Sequence, residues 1–191
     1  MATDRLPPIP PERWTDEQRS YAAEIINGPR GELVAPFVPL LRSPELMGHV
    51  QRLGAHLRYR SRLVPRLSEL AILVTAREWA QQVEWAIHAP IAEQAGVARA
   101  IIDSIARGRR PSGMALDEAA VYDLCVELQR ERGVCDGTWQ QAVELFGEAG
   151  TVELIAIVGY YAMLSMVMNA ARTPAPSSTA PPLAPESGWQ E

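Results

Sequence analysis

The sequence points to an all-α helical bundle. No run alternates apolar and polar residues at period two for long enough to make a strand. Apolar residues recur instead at helical spacing through most of the chain, and helix-start and helix-stop signals are frequent. The near-continuous apolar stretch 152–171 suits a buried core or oligomer-interface helix.

Taken in order, residues 1–13 are rich in proline and predict an extended arm that packs on the domain. Thr15-Asp16-Glu17-Gln18 is a capping box, and its helix ends near Asn27-Gly28-Pro29. Residues 31–41 form a loop held by Pro36 and Pro39. Ser43 as N-cap and Pro44 at the first helical position open a helix that reaches about Arg58 or Tyr59. The next helical pattern starts near Pro65 and continues to Ala95, where Gly96 stops it. Pro90 lies inside that pattern and predicts a kink or a new segment. A short helix over about 98–107 is stopped by Gly108. Three more helices fit 117–132, 138–146 and 151–171, and Thr138-Trp139-Gln140-Gln141 is another capping box. From Thr173 the composition is Pro, Ala, Ser and Thr, which buries too little to fold alone. The division is therefore one domain over 1–172 and a flexible tail, or an arm ordered on a neighbour, over 173–191.

Composition sets the broad class. The chain has 191 residues, 47% apolar and 21% charged, which is ordinary for a globular domain with a sizeable core. Its net charge of −5, with no basic stripe interleaved with aromatics, argues against nucleic acid. The basic runs Arg58-Tyr59-Arg60-Ser61-Arg62 and Arg107-Gly108-Arg109-Arg110 fall at helix ends, where they suit the helix dipole. Cys125 and Cys135 are ten apart and form no metal or redox motif. No signal segment leads the chain, so a cytoplasmic location is expected. The stretch 152–171 carries Glu153, Gly159, Ser165 and Asn169, so a core or oligomer-interface helix is expected rather than a membrane span.

The chemistry concentrates around His88. Glu84 and His88 are four apart and share one helix face. A carboxylate beside an imidazole is the smallest set that moves a proton near neutral pH. Leu70, Ile72, Leu73, Val74, Trp79, Val83, Trp85 and Ile87 surround them, so these polar groups should be buried and in need of partners. Arg77 is eight residues after Glu69 and close to the same face. It either neutralises Glu69 or receives a substrate carboxylate. Trp79 and Trp85 read as core, with Trp85 also placed to line a pocket. His49 and His56 sit seven apart on the preceding helix and read as capped or solvated, though His56 could approach the site. No His, Asp or Glu set has a metal-ligand spacing, and no glycine-rich phosphate loop or dinucleotide fingerprint occurs, so neither metal nor cofactor is expected.

Three stretches carry a family resemblance: Pro65-Arg66-Leu67-Ser68-Glu69-Leu70-Ala71-Ile72-Leu73-Val74-Thr75-Ala76-Arg77, Val83-Glu84-Trp85-Ala86-Ile87-His88-Ala89, and Ala92-Glu93-Gln94-Ala95-Gly96. Together they resemble the core of the carboxymuconolactone decarboxylase family, which shares an all-helical fold with the alkylhydroperoxidase AhpD. Weaker similarity extends through Val121-Tyr122-Asp123 and Phe146-Gly147-Glu148 to Gly159-Tyr160-Tyr161 and Asn169. The peroxidase branch has an acid, eleven residues, Cys-x-x-Cys, three residues and a histidine. Here the acid falls on Glu69 and the histidine on His88, but the cysteine positions hold Gln81 and Glu84. Neither forms a thiolate, so thiol peroxidase chemistry by that route is excluded. Glu84 also fits the Glu-Trp-x-x-His pattern of the decarboxylase-like branch.

The resemblance implies decarboxylation or isomerisation of a small lactone or unsaturated acid. His88 would be the general acid–base, Glu84 would orient it or share its proton, Glu69 would complete the relay, and Gln81 could donate to a developing oxyanion. It also implies a homo-oligomer, a trimer or hexamer. The alternative is a non-catalytic ligand-binding or oligomeric interaction protein that retains the fold. One straight helix would hold Glu69 and His88 about 28 Å apart, so a shared site requires a break. The resemblance puts that break between Glu78 and Val83. A faint internal echo relates 67–73 to 151–157, 84 residues on, with Arg172 at the position equivalent to His88.

Overall fold

A computed structural model describes residues 3–178 and 180–183, and among them the chain is helical with no strand. A 3-10 turn at Pro11–Arg13 precedes α1 (Asp16–Ile26), α2 (Phe37–Leu40), α3 (Pro44–Tyr59), α4 (Pro65–Glu78), α5 (Gln82–Gln94), α6 (Arg99–Ala106), α7 (Leu116–Arg130) and α8 (Asp136–Ala171). The all-α reading is correct. Residues up to Arg60 form one compact unit with Met166–Pro174, and Ser61–Ser165 form a second with the described residues from Ala175. The boundary within α8 has no linker signal, because the helical pattern of 151–171 runs straight through it.

In the first unit, Thr15 and Gln18 form the expected capping box. Thr15 Oγ1 accepts from Gln18 N at 3.1 Å, and Gln18 Oε1 accepts from Thr15 N at 3.0 Å. Ala22 and Ile25 of α1, Phe37 and Leu40 of α2, and Met47 and Val50 of α3 are buried. Gly48 lets α3 approach α1, since a Cβ there would lie 2.5 Å from the Tyr21 ring. Ser43 makes no side-chain cap bond, so Pro44 at the first helical position carries the start of α3 by itself. The proline-rich lead is tied to the end of α8: Arg5 N donates to Ala171 O at 2.8 Å and Arg5 Nη1 to Ala170 O at 3.0 Å. Those carbonyls have no partner within the helix, and the arm supplies one.

In the second unit, α4 is central. Every residue from Leu67 to Ala76 is buried, because α5, α6 and α7 all pack on it. The expected break is present: α4 ends at Glu78, Ala80 takes a left-handed φ of 46°, and α5 starts at Gln82. The turn of Trp79, Ala80 and Gln81 folds the chain back into a helical hairpin. Gln81 caps α5 by accepting from Val83 N at 2.6 Å.

The two expected helices 138–146 and 151–171 are present as the two arms of α8, separated where Gly147 leaves the helical region (φ 68°, ψ 168°). The start of α8 is two residues earlier than expected. Thr138 is spent elsewhere, with Oγ1 donating to Glu127 Oε1 at 2.6 Å. In α8 an 18-residue window has a mean hydropathy of 1.7, long and apolar enough to cross a membrane. Half of that window is buried in the protein, and Glu153 within α8 accepts from Ser61 Oγ at 2.9 Å and Arg62 N at 2.6 Å. The internal echo therefore gives Glu153 a different task from that of Glu69, its counterpart.

Pro90 does not end α5, which continues to Gln94. Composition predicts a flexible tail from Thr173, yet residues 178–183, Thr179 apart, are bonded to α5. Ser178 Oγ donates to Ala86 O at 2.7 Å, and Trp85 Nε1 donates to Pro181 O at 2.9 Å. Gln82 Nε2 donates to Leu183 O at 3.1 Å, while Leu183 N donates to Gln82 Oε1 at 3.0 Å. A composition argument counts apolar bulk and overlooks these backbone-directed bonds. The part of the predicted tail at 184–191 lies outside the described residues.

Candidate active site

The helical hairpin brings Glu69 of α4 against His88 of α5. His88 Nδ1 lies 2.6 Å from Glu69 Oε2. A carboxylate oxygen accepts, so Nδ1 carries the hydrogen of that bond. With Nδ1 committed to Glu69, Nε2 is the imidazole nitrogen turned toward Glu84. Glu84 Oε2 stands 3.4 Å from it, one helical turn earlier on α5. The result is a carboxylate–imidazole–carboxylate line in which Glu69 meets Nδ1 and Glu84 faces Nε2, the kind of arrangement that can move a proton.

Burial sharpens this electrostatics. Glu84 is 1% exposed, His88 3% and Glu69 5%. Charged and polar groups this deeply buried interact more strongly than they would at the surface. Glu84 lies in the first turn of α5, where the positive end of the helix dipole favours a carboxylate. Ala80 is held left-handed in the turn just before it, and such backbone strain collects where surrounding structure fixes a local geometry.

Tyr161 of α8 completes the surroundings. Its ring meets His88 edge-on, with centroids 5.2 Å apart and planes at 86°. Tyr160 stacks on Tyr161 in the same way, 5.2 Å and 83°. The sequence offered one signal for this contact, the pair Tyr160-Tyr161 in an otherwise apolar helix. No spacing rule connects α8 to α5, so the candidate residues omitted it.

The other expected residues are placed differently. Gln81 is 2% exposed, and its carbonyl oxygen caps α5 through Val83 N. The guanidinium of Arg77 lies against Gly108, beyond the end of α6, where a Cβ would come within 3.2 Å of Nη2. Glu69 meets His88 rather than depending on Arg77 for its partner. Trp85 is 1% exposed and lies under residues 180–181, in a cleft it shares with Ala89, Pro90 and Ile102. His49 is exposed and sits 3.4 Å from Arg52, and His56 is on the same helix, α3. Among the described residues no group of three or more His, Cys, Asp or Glu side chains is arranged to hold a metal ion. Cys125 is fully buried, and burial pushes its thiol far above the ordinary range. Cys135 is exposed.

No protein-family model matches this chain, and no curated protein is similar to it at a significant level.

Proposed function

We propose that this protein is a small-molecule enzyme of the carboxymuconolactone decarboxylase type, with the AhpD-like form of the helical bundle. Its chemistry would be proton transfer during decarboxylation or isomerisation of a lactone or unsaturated carboxylic acid. The observation that carries the reading is His88, fixed through Nδ1 by Glu69 at 2.6 Å and facing Glu84 through Nε2 at 3.4 Å. In the decarboxylation, the bond to the carboxylate carbon breaks and carbon dioxide leaves. The electron pair delocalises onto the conjugated carbonyl, and the proton on His88 Nε2 forms the new C–H bond. Glu84 or water then returns a proton to Nε2. In the isomerisation the same nitrogen removes a proton from one carbon and delivers it to another. No thiol takes part, because Gln81 and Glu84 occupy the positions a peroxidase gives to cysteine.

A second reading, a ligand-binding or interaction protein without turnover, is favoured by one observation: the three polar groups are closed off and Tyr161 sits directly on His88. The two readings separate in His88→Gln. Under either reading, losing the bond to Glu69 lowers stability by about 1–3 kcal/mol, but under the enzymatic reading turnover per folded molecule on candidate lactones also falls by about 10²–10⁴. Under the other any turnover per folded molecule is unchanged. Full activity in a stable His88→Gln protein would sink the enzymatic reading.

The same proposal includes a cytoplasmic homo-oligomer, a trimer or hexamer. It is supported by apolar side chains left at the surface, Leu116 at 76% and Val152 at 58% exposure.

A further inference from the structure

We propose that the outer face of α5, together with α6, is a recognition groove for a proline-rich chain, and that residues 175–183 are its detachable occupant. This stands apart from whatever reaction occurs at His88, because it concerns a different face of α5. Gln82, Trp85, Ala86 and Ala89 lie on one side of the helix, and Glu84 and His88 lie about 130° around it at 100° per residue.

The groove is built from groups that α5 cannot satisfy within itself. Pro90 has no N–H, so the carbonyl of Ala86, four residues earlier, loses its helical partner. Ser178 Oγ takes that place at 2.7 Å. One face-turn away the indole N–H of Trp85, on a side chain 1% exposed, donates to Pro181 O. Gln82 then clasps Leu183 with both ends of its amide, donating to the carbonyl and accepting from the N–H. The contacts step back along α5 from Ala86 to Trp85 to Gln82. The Trp85, Pro181 and Leu183 groups involved form the pattern by which aromatic grooves read proline-rich chains. An indole donor meets a carbonyl that proline leaves exposed, and apolar surface takes the neighbouring side chain.

The occupant is held lightly. Of the described residues from Ala175 onward, only Leu183 is buried, while Ser177, Ser178, Pro181 and Pro182 are exposed. Every hydrogen bond between α5 and the segment engages the segment's backbone or its Ser178 hydroxyl, so another proline-rich segment with a serine and a leucine in register would satisfy the same groups. The cleft between Trp85 and Pro181 leaves about 10 Å³, at the limit for one water. Because the segment is tethered, its effective concentration at the groove is on the order of millimolar, enough to mask a weak site.

The test uses the full-length chain and a labelled peptide with the sequence of residues 175–183. Leu183→Asp in the protein should leave its circular dichroism and melting unchanged and release the segment. The peptide should then bind this variant at least tenfold more tightly than it binds wild type. Adding Gln82→Ala to the variant, or placing Leu183→Asp in the peptide, should abolish that binding. Should Leu183→Asp unfold the protein, the wild type still decides: saturating peptide should speed hydrogen exchange of the Leu183 amide. A folded Leu183→Asp protein that fails to bind, equal binding to wild type and variant, or a Leu183 amide indifferent to peptide would each overturn the proposal.

Discussion

His88 is the residue on which two scales of argument meet, because its Nδ1 bond to Glu69 is structural as well as chemical. A buried donor without an acceptor is expensive whatever the protein does. Glu69→Ala should therefore lower stability by about 1–3 kcal/mol in chemical denaturation, and Glu69→Gln, which keeps an acceptor oxygen, should lower it less. Equal losses would show that the Nδ1 bond is not what holds the ring. The cysteines make a second residue-scale prediction. Cys125 is buried and its thiol is pushed up, so it should resist alkylation in the folded protein while exposed Cys135 reacts. Changing both to serine should leave turnover intact. Peroxide-dependent activity that vanishes in the double variant would show that the chemistry lies at the thiols instead.

Elements are divided here by two unusual backbone positions of opposite kind. Ala80 holds φ 46° at the turn between α4 and α5, and Gly147 holds φ 68° and ψ 168° inside α8. The first is a left-handed residue with a Cβ, the second a conformation that is essentially confined to glycine. Nothing lies within 4 Å of a Cβ built on Gly147, so Gly147→Ala tests backbone strain without a clash. It should lower stability by about 1–3 kcal/mol, whereas Ala80→Gly should raise it by about 1 kcal/mol. Thermal and urea melts read both. A neutral Gly147→Ala would mean that α8 runs unbroken, and that its two halves are one helix. The break at 78–83 was legible only through the family resemblance, which places it there; helix geometry says no more than that Glu69 and His88 cannot meet on one straight helix. The persistence of α5 through Pro90 was not, since Ser178, which bonds the carbonyl that proline frees, is 92 residues away along the chain.

At the scale of the whole molecule, the proposed oligomer would cover exposed apolar side chains. Leu116 and Val152 project from α7 and α8 at 76% and 58% exposure. If the protein is a trimer or hexamer, sedimentation should show that mass at micromolar concentration. Val152→Asp with Leu116→Asp should then shift it toward the monomer without loss of helicity. A wild-type monomer would remove the oligomer from the proposal.

What the sequence determined by itself is local. Capping residues, proline and glycine punctuation, and helical periodicity act within a few residues of one another, so helix class and most helix positions can be read directly. The pairing of Glu84 with His88 was likewise legible, since four-residue spacing puts both on one helix face, whereas Glu69 was picked out by the family resemblance. Tertiary structure decided what depends on distant segments. Tyr161 comes to His88 from a helix more than 70 residues away. Arg77 goes to Gly108, and Trp85 turns to Pro181 rather than to the imidazole. The segment that composition marks as unable to fold alone is placed by α5, because hydrogen bonds to a proline-rich backbone need a partner surface that no local pattern records.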